Sequence, residues 1–588
     1  MKFLSYSLLA LTLFASQSFS QAQDRAWLIG QQFEERPDPE PADTNAWKKI
    51  NTGLHFSYAS IDQRYPKSVI PALQKSLTHN VTGWKGEKVS AQILLWTKEN
   101  IKSVSIEVKN EKSSNQLLAA NTSARFLRYV LTDEFGTGCG KRTPTDYPAH
   151  LSADMLDDLK HIDIPAYSVR PVWITVDIPA SIKADKYTLT LNIRTGNKVV
   201  GTLPLTVKVQ NHTLPPAAQW SFHLDQWQHP SAVARVNNLK MWSDEHFEAL
   251  KPQMELLAKA GQKVITATLN KDPWHVQTFD PYADMIIWTK KRDGSWEYDY
   301  TAFDKWVSLM MDLGVKKMIN CYSIVPWNNE IHYHDETTNS IINVVAKPGT
   351  AIFEELWTPF LKDFSRHLKQ KGWLEITNIA LDERRKEELA AAFDLISRVA
   401  PKLGVAYADN HKTFKQYPNS KDVSTAIRNP IDSIDIVQRR SKGLNTTFYI
   451  CCSDSFPNQF TFSSPAESAY LGWYTLATGY DGMLRWAFNS WVENPLEDSR
   501  FRTWPAGDTY IVYPQARTSV RYERLVEGIQ SFEKVKILQQ KLKNKGRNDL
   551  IRKIEAALVP LRKNFRDDHW LENLNKAKAL VNEISDII

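Results

Sequence analysis

The sequence predicts a multidomain chain: an N-terminal antiparallel β-sandwich, a central (β/α)8 barrel and a C-terminal helical segment. Three observations carry this. Apolar and polar residues alternate with period two through much of the chain up to about residue 215, the mark of strands with one buried and one wet face. Short apolar runs and amphipathic helical stretches then alternate until there are eight strand candidates, which implies a parallel sheet closed into a barrel. From about residue 516 onward the chain is helical and charged.

Residues 1–20 read as a secretory signal. Lys2 supplies the positive start, Phe3 to Ala15 is mostly apolar, and Ser18, Ser20 and Ala22 offer cleavage positions. The run is shorter than the roughly 20 apolar residues that span a bilayer, and no second such stretch follows. The expectation is an exported protein, periplasmic or extracellular, without a membrane span. No Cys lies near the cleavage site, which argues against a lipid anchor. Residues 21–50 are polar, with an extended leader around Glu35-Arg36-Pro37-Asp38-Pro39-Glu40-Pro41.

The sandwich is placed at residues 51–215. Val172 to Ile178 and Tyr187 to Ile193 alternate, and Leu205-Thr206-Val207-Lys208-Val209 closes the series. The barrel is placed at 216–515, with Phe222-His223-Leu224 as its first strand. Ser243 caps a helix carrying Phe247, Leu250, Met254 and Leu257, and Val264 to Leu269 follows as a strand. A helix through Phe303, Trp306, Val307 and Met310 leads to Met318 to Tyr322. Another through Phe353, Leu356, Trp357 and Phe360 leads to Ile376 to Glu383, and one through Phe393, Ile396 and Val399 to Gly404 to Tyr407. The sixth and seventh strands are read at Ile434 to Val437 and Phe448 to Ile450. Ser464-Pro465-Ala466-Glu467 is a capping box with Pro at the first helical position, and Met483 to Phe488 is the last strand. Residues 516–588 form the helical region.

Of 588 residues, 42% are hydrophobic and 24% charged, which excludes global disorder and collagen-like repetition. The net charge of +7 is small for the length, and residues 521–588 alone hold 15 basic against 10 acidic groups. Those basic residues interleave with apolar helical positions, so they read as a solvated face and not as a nucleic-acid surface. Cys451 and Cys452 are adjacent, too close for an unstrained bridge to each other. Cys139 and Cys321 lie in different regions, and all four cysteines read as free thiols.

The sharpest chemical feature is Ile379-Ala380-Leu381-Asp382-Glu383-Arg384, an apolar strand ending in two carboxylates. Barrel active sites lie at the C-terminal ends of strands. Two close carboxylates do not both ionise cheaply, so one is raised and can donate a proton near neutral pH. Neighbours in a regular strand point to opposite faces, so both reach one pocket only where the strand ends. The competing reading is a solvated helix start, favoured by the helix dipole. Fourteen of the 20 tryptophans lie between residues 220 and 504. Trp227, Trp274, Trp327, Trp486 and Trp491 fall at predicted strand ends or just after them. Indole rings beside acids suit the apolar face and hydroxyl rim of a sugar, whereas core packing is the alternative for each ring. His332-Tyr333-His334-Asp335-Glu336 reads as a loop more readily than as a metal site. Gly136 to Lys141 lacks phosphate-loop spacing, and no nucleophile elbow is present. No cofactor and no metal are expected.

The stretch from Gly479 to Tyr513, through Gly482-Met483-Leu484-Arg485-Trp486-Ala487-Phe488-Asn489-Ser490-Trp491 and Trp504-Pro505-Ala506-Gly507-Asp508-Thr509, resembles glycoside hydrolase family 123, the retaining β-N-acetylgalactosaminidases. Leu381-Asp382-Glu383 matches the family's catalytic pair, and Leu131 to Phe135 and Pro171 to Ile193 look like its N-terminal sandwich. The resemblance implies substrate-assisted hydrolysis of a glycan or glycolipid. The sugar's 2-acetamido oxygen would attack the anomeric carbon, Glu383 would act as acid then base, and Asp382 would orient the acetamide. By position, Tyr449, Trp486 and Asn489 are expected at acetamido and hydroxyl groups, as are Asp225, Trp227 and Trp327; Arg485, within the matched motif, is counted with them. A barrel glycosidase acting on another sugar, such as a β-N-acetylglucosaminide, and a non-catalytic glycan-binding protein remain the alternatives.

Overall fold

The computed structural model describes residues 34–109, 115–135, 138–140 and 144–588. The signal, residues 21–33 of the leader, and Gly136, Thr137 and Lys141 of the Gly136 to Lys141 segment lie outside the described residues. Within the leader, Thr44–Lys48 is helical, capped by the Asp43 carboxylate.

Ten strands build the N-terminal domain: β1 His55–Ala59, β2 His79–Lys85, β3 Lys88–Thr97, β4 Ile101–Lys109, β5 Thr122–Asp133, β6 Ala149–Asp157, β7 Ile162–Ile164, β8 Ser168–Asp177, β9 Lys186–Thr195 and β10 Lys198–Thr213. They form two sheets, ordered β1-β3-β8-β5-β6 and β2-β10-β9-β4-β7. All pairs are antiparallel except β2 with β10. Between the sheets, Ile93, Val172 and Ile174 meet Leu189, Leu191, Ile193 and Leu205. The alternation in β8 predicts one wet face, but Trp173 and Thr175 on its other face are also buried. The cause is a second layer: Leu127, Leu151 and Trp173 pack against Val520 of the C-terminal region. This sheet is buried on both sides.

The second half holds β11 His223–Gln226, β12 Val264–Thr268, β13 Ile287–Lys290, β14 Trp296–Asp299, β15 Met318–Tyr322, β16 Glu330–Asp335, β17 Ser340–Val345, β18 Thr377–Leu381, β19 Gly404–Asp409, β20 Asp422–Ala426, β21 Asn445–Ile450 and β22 Gly482–Arg485. Eight of them form a parallel sheet in the order β11-β22-β21-β20-β19-β18-β15-β12. The predicted sixth strand, Ile434 to Val437, is instead part of the helix Ser433–Ser441. Ile436 alone of its three β-branched residues faces inward; Ile434 and Val437 are exposed. The true sixth strand, Asp-Val-Ser-Thr-Ala, is fully buried although polar, so it shows no apolar run. His332 to Asp335, expected in a loop, belongs to β16, which joins β13, β14 and β17 in a small sheet growing from the loops after β12 and β15. Its His332 Nε2 contacts Asp284 at 2.5 Å.

Strands β11 and β12 meet at the Leu224–Gln262 bridge, and side-chain amides complete the seam. Gln262 Oε1 accepts from the Gln226 N–H at 3.0 Å, while its Nε2 donates to Gln226 O at 3.1 Å and Val264 O at 2.7 Å. The Thr266 N–H donates to Gln228 Oε1 at 2.8 Å. Glutamine amides thus stand in for peptide groups between two strands too divergent to form a full ladder.

The Ser464 capping box opens the helix Pro465–Thr478. Helix Val520–Asn544 crosses it where Gly472 meets Gly528, and a methyl group at Gly472 would collide with the Gly528 carbonyl. The last helix, Trp570–Ile587, reaches back to the sandwich, where Trp84 Nε1 donates to Ser585 Oγ at 3.1 Å. Among the described residues, no helix is long and apolar enough to cross a membrane.

Gln262→Leu should lower the melting temperature. It leaves the Gln226 N–H short of its partner, at roughly 1–3 kcal/mol, whereas Gln226 O and Val264 O keep the Gln228 amide as a donor. An unchanged thermal transition would show the amide stitch to be dispensable.

Candidate active site

At the C-terminal ends of the barrel strands lies a cavity of about 290 Å³ that contains both carboxylates of the strand-end pair. Strand β18 ends at Leu381, and Asp382 and Glu383 follow in irregular backbone. The strand's alternation stops there, so both side chains reach one cavity. The next helix starts only at Lys386, and its first-turn acids are Glu387 and Glu388. Asp382 and Glu383 therefore are not a helix start.

The two acids are held from different sides. Asp382 Oδ2 accepts from Trp327 Nε1 at 2.9 Å, and its Oδ1 accepts from the Glu383 N–H at 2.9 Å. Trp327 is itself clamped: Arg384 donates to its carbonyl at 3.0 Å and lies over its ring, 5.5 Å from the centroid. Glu383 Oε1 accepts from Asn410 Nδ2 at 2.8 Å and from the Tyr449 hydroxyl, which also lies 3.0 Å from Asn410 Oδ1. Both bonds fall on Oε1, so Oε2 is the oxygen open to a bound molecule. Burial, then the neighbouring Glu383 charge, raises the Asp382 carboxyl to about 6. Burial and the Glu383 charge push the Tyr449 phenol upward, which keeps it a donor.

Aromatic rings form the floor and walls. Trp227 lies 4.8 Å from Trp274 and 4.6 Å from Tyr322, ring centre to ring centre, and all three are buried. Trp486 meets Trp504 edge-on at 5.9 Å. Of the tryptophans expected at strand ends, Trp227, Trp274, Trp327 and Trp486 line the cavity. Trp491 does not; it is buried and donates to Val512 O.

The structure thus brings Asp382, Glu383, Trp227, Trp327, Tyr449 and Trp486 together. Three expected contacts lie elsewhere. Asp225 sits two residues below Trp227 on β11, only 1% exposed. Burial, with the nearby Asp422 carboxylate, raises it well above the usual range. Arg485 points the other way from Leu484 and Trp486, as strand alternation demands, and pairs with Asp508 at 3.2 Å. Asn489 is consumed by the backbone of His229, accepting from its N–H at 2.9 Å and donating to its carbonyl at 3.1 Å.

The reading of four free thiols is corrected: Cys139 and Cys452 form a disulfide, with Cα atoms 5.2 Å apart. The partner of Cys452 is thus brought by the fold and lies 313 residues away. Cys321 and Cys451 are free, and burial with the Asp454 charge raises the Cys451 thiol to about 11. Among the described residues, the one close group of possible metal ligands is Cys139, Cys451 and Cys452, two of which are bridged. Sequence reasoning missed Asn410, Gln277, Arg428 and this bridge at the cavity. Asn410 follows the end of β19 and obeys the same strand-end rule as Asp382; Arg428 lies two residues past β20, the strand that no apolar run marks.

Family models match the chain twice: the glycoside hydrolase 123 catalytic domain over residues 227–538 and the glycoside hydrolase 123 N-terminal domain over residues 58–195. Among solved structures, a family 123 glycoside hydrolase from Clostridium perfringens, described for glycolipid glycan hydrolysis, superposes with a TM-score of 0.80. It is 27% identical over 91% of this chain and 97% of its own. A family 39 glycoside hydrolase from Bacteroides cellulosilyticus has a TM-score of 0.34 at 11% identity, over 78% of this chain and 82% of its own, and carries no functional weight. No curated protein matches the chain.

The raised Asp382 carboxyl has a thermodynamic sign. From its ordinary 3.8 it rises to about 6 on folding, so the folded chain holds the proton more tightly than the unfolded one. Its contribution is fully favourable below pH 3.8 and is lost as pH rises through 6. Asp382→Asn should therefore melt at a higher temperature than wild type at pH 7–8, and the gap should close below about pH 4. A gap that persists at pH 3.5 would contradict the assigned ionisation.

Proposed function

The chain belongs to glycoside hydrolase family 123 and is a glycosidase with a glycan substrate, and from that premise we propose that it removes terminal β-linked N-acetylgalactosamine with retention, through an oxazoline formed by the substrate's own acetamide. One observation carries the mechanism. The carboxylates lining the cavity are neighbours on one strand end, and among the described residues no third one lines it. Ordinary retaining and inverting glycosidases need two carboxyl groups flanking the sugar, about 5–5.5 Å or 6.5–9.5 Å apart. A pair on one side leaves the far face of the ring to a nucleophile that the substrate brings.

In this reading the sugar lies on the Trp227–Trp274 floor. Asp382, anchored by Trp327, accepts the acetamido N–H and stabilises the positive charge that grows on it as its oxygen attacks the anomeric carbon. Glu383 delivers its proton to the leaving oxygen from Oε2, with Oε1 fixed by Asn410 and Tyr449. It then takes a proton from the water that opens the oxazoline. Export of the protein is supported by the composition of residues 1–20 and by the Cys139–Cys452 bridge, since disulfides persist in oxidising compartments.

Glu383→Gln should lower kcat on a natural glycan by about 10²–10⁴, the usual weight of acid–base catalysis; near-wild-type turnover would sink the assignment. A thiazoline built on galactosamine should inhibit competitively, and more tightly than its glucosamine counterpart. Absence of inhibition together with a trapped glycosyl-enzyme ester would establish an enzyme nucleophile instead, and tighter binding of the glucosamine analogue would change the sugar.

A further inference from the structure

The leaving-group side of the cavity can be located from the acid. Glu383 protonates the departing oxygen in the reading above, on which this inference rests, so the rest of the glycan leaves past Glu383. Tyr449, bonded to Glu383, is followed two residues later by Cys451, and Cys451 packs on the same aromatic cluster as Tyr449. Beyond it the wall is Cys452, its bridge partner Cys139, Ser453 and Arg428. Trp327 and its bond to Asp382 lie on the other carboxylate of the pair.

Cys139 is not a barrel residue. It follows the end of β5 in the sandwich, and two further links carry that strand end into the barrel. Leu131 N–H donates to Glu497 O at 2.7 Å, and Ser499 N–H donates to Leu131 O at 2.9 Å. Past the cysteine, Gly140 N–H donates to Thr503 O at 3.2 Å, beside Trp504. The sandwich peptide is thus wedged between two barrel loops, one holding Cys452 and one holding Trp504. Arg428 at the rim pairs with Asp454 at 3.1 Å and contacts the Ser453 hydroxyl. The surface so made is an apolar strip of disulfide and indole edged by a guanidinium and a hydroxyl. A pyranose ring matches it, with its C–H face on the strip and its hydroxyls toward the edge.

We propose that the sandwich-borne Cys139, fixed by its bridge to Cys452, together with Arg428 and Ser453, forms the contact for the sugar on the leaving side of the cleaved bond, and so sets preference for glycans over simple aglycones. The bridge acts as a positioning element: it holds the sandwich peptide at the site and takes no part in bond cleavage.

The test compares two substrates on the full-length enzyme: nitrophenyl β-N-acetylgalactosaminide and an oligosaccharide ending in the same sugar. In Cys139→Ser/Cys452→Ser, kcat/KM on the oligosaccharide should fall at least about tenfold further than on the nitrophenyl glycoside, mainly through KM. That is the scale of one or two lost neutral contacts. Arg428→Gln, which keeps the bridge, should move the same ratio in the same direction. Wild-type enzyme reduced with a phosphine should reproduce the loss, and reoxidation should restore it, so the proposal stays testable if the double variant folds poorly. A ratio that does not move, or equal losses on both substrates, would make the bridge a structural staple and overturn the proposal. If Glu383→Gln keeps oligosaccharide turnover, the acid assignment itself fails, and the leaving side inferred from it fails too. An unmoved ratio beside an inactive Glu383→Gln refutes this proposal alone.

Discussion

A parallel barrel works as a container only when its first and second strands are joined, and here that join is the least regular part of the wall. Strands β11 and β12 do not run side by side long enough to exchange a ladder. Gln262 and Gln228 supply the missing donors and acceptors from their amides. The seam matters because the functional parts lie on both sides of it. Trp227 follows β11 and Trp274 follows β12, and their rings, tilted 35° to each other and 4.8 Å apart, are the floor. If the seam opened, the floor would split along its middle while β18, with its acids, stayed in place. The polar stitch gives direction as well as closure, since an amide in a buried wall accepts few alternative arrangements.

The same economy governs the carboxylates. Trp327 gives Asp382 a single indole donor, and Arg384 holds that indole from behind. Burial and the neighbouring Glu383 charge keep the proton affinity of Asp382 high, whereas Arg485 and Asp508, which do not line the cavity, pair with each other. Arg384 and Arg485 serve to position loops, and Arg428 stands at the rim. This leaves the acid pair to respond to each other and to what enters.

Much of this was legible from residue order. Helix caps at Ser243 and Ser464, seven of the eight barrel strands and the Asp382-Glu383 strand end follow from local patterns. What escaped did so for definable reasons. Strand β20 is polar because it faces a polar barrel interior, where His223 contacts Asp422 and Asn320 donates to the same carboxylate, so no hydrophobic period marks it. The helix at Ile434 carries β-branched residues that resemble a strand until tertiary packing chooses one of them. At the site, Trp227, Trp327, Tyr449 and Trp486 were recognisable from strand ends, whereas Asp225, Arg485 and Asn489 shared that position and were turned elsewhere by one step of alternation or depth. The Cys139–Cys452 pair has no local signal at all.

The sheet covered on both faces sets an order of events during synthesis. Strand β8 is complete by residue 177, yet Val520, which covers its outer face, follows roughly 340 residues later. At about 5–20 residues per second, that face stays bare for roughly 20–70 seconds. Trp173, Leu127 and Leu151 are then a temporary sticky surface on an otherwise finished sandwich. Until Val520 arrives that face has no partner, so the two segments that family models treat as separate complete their packing together.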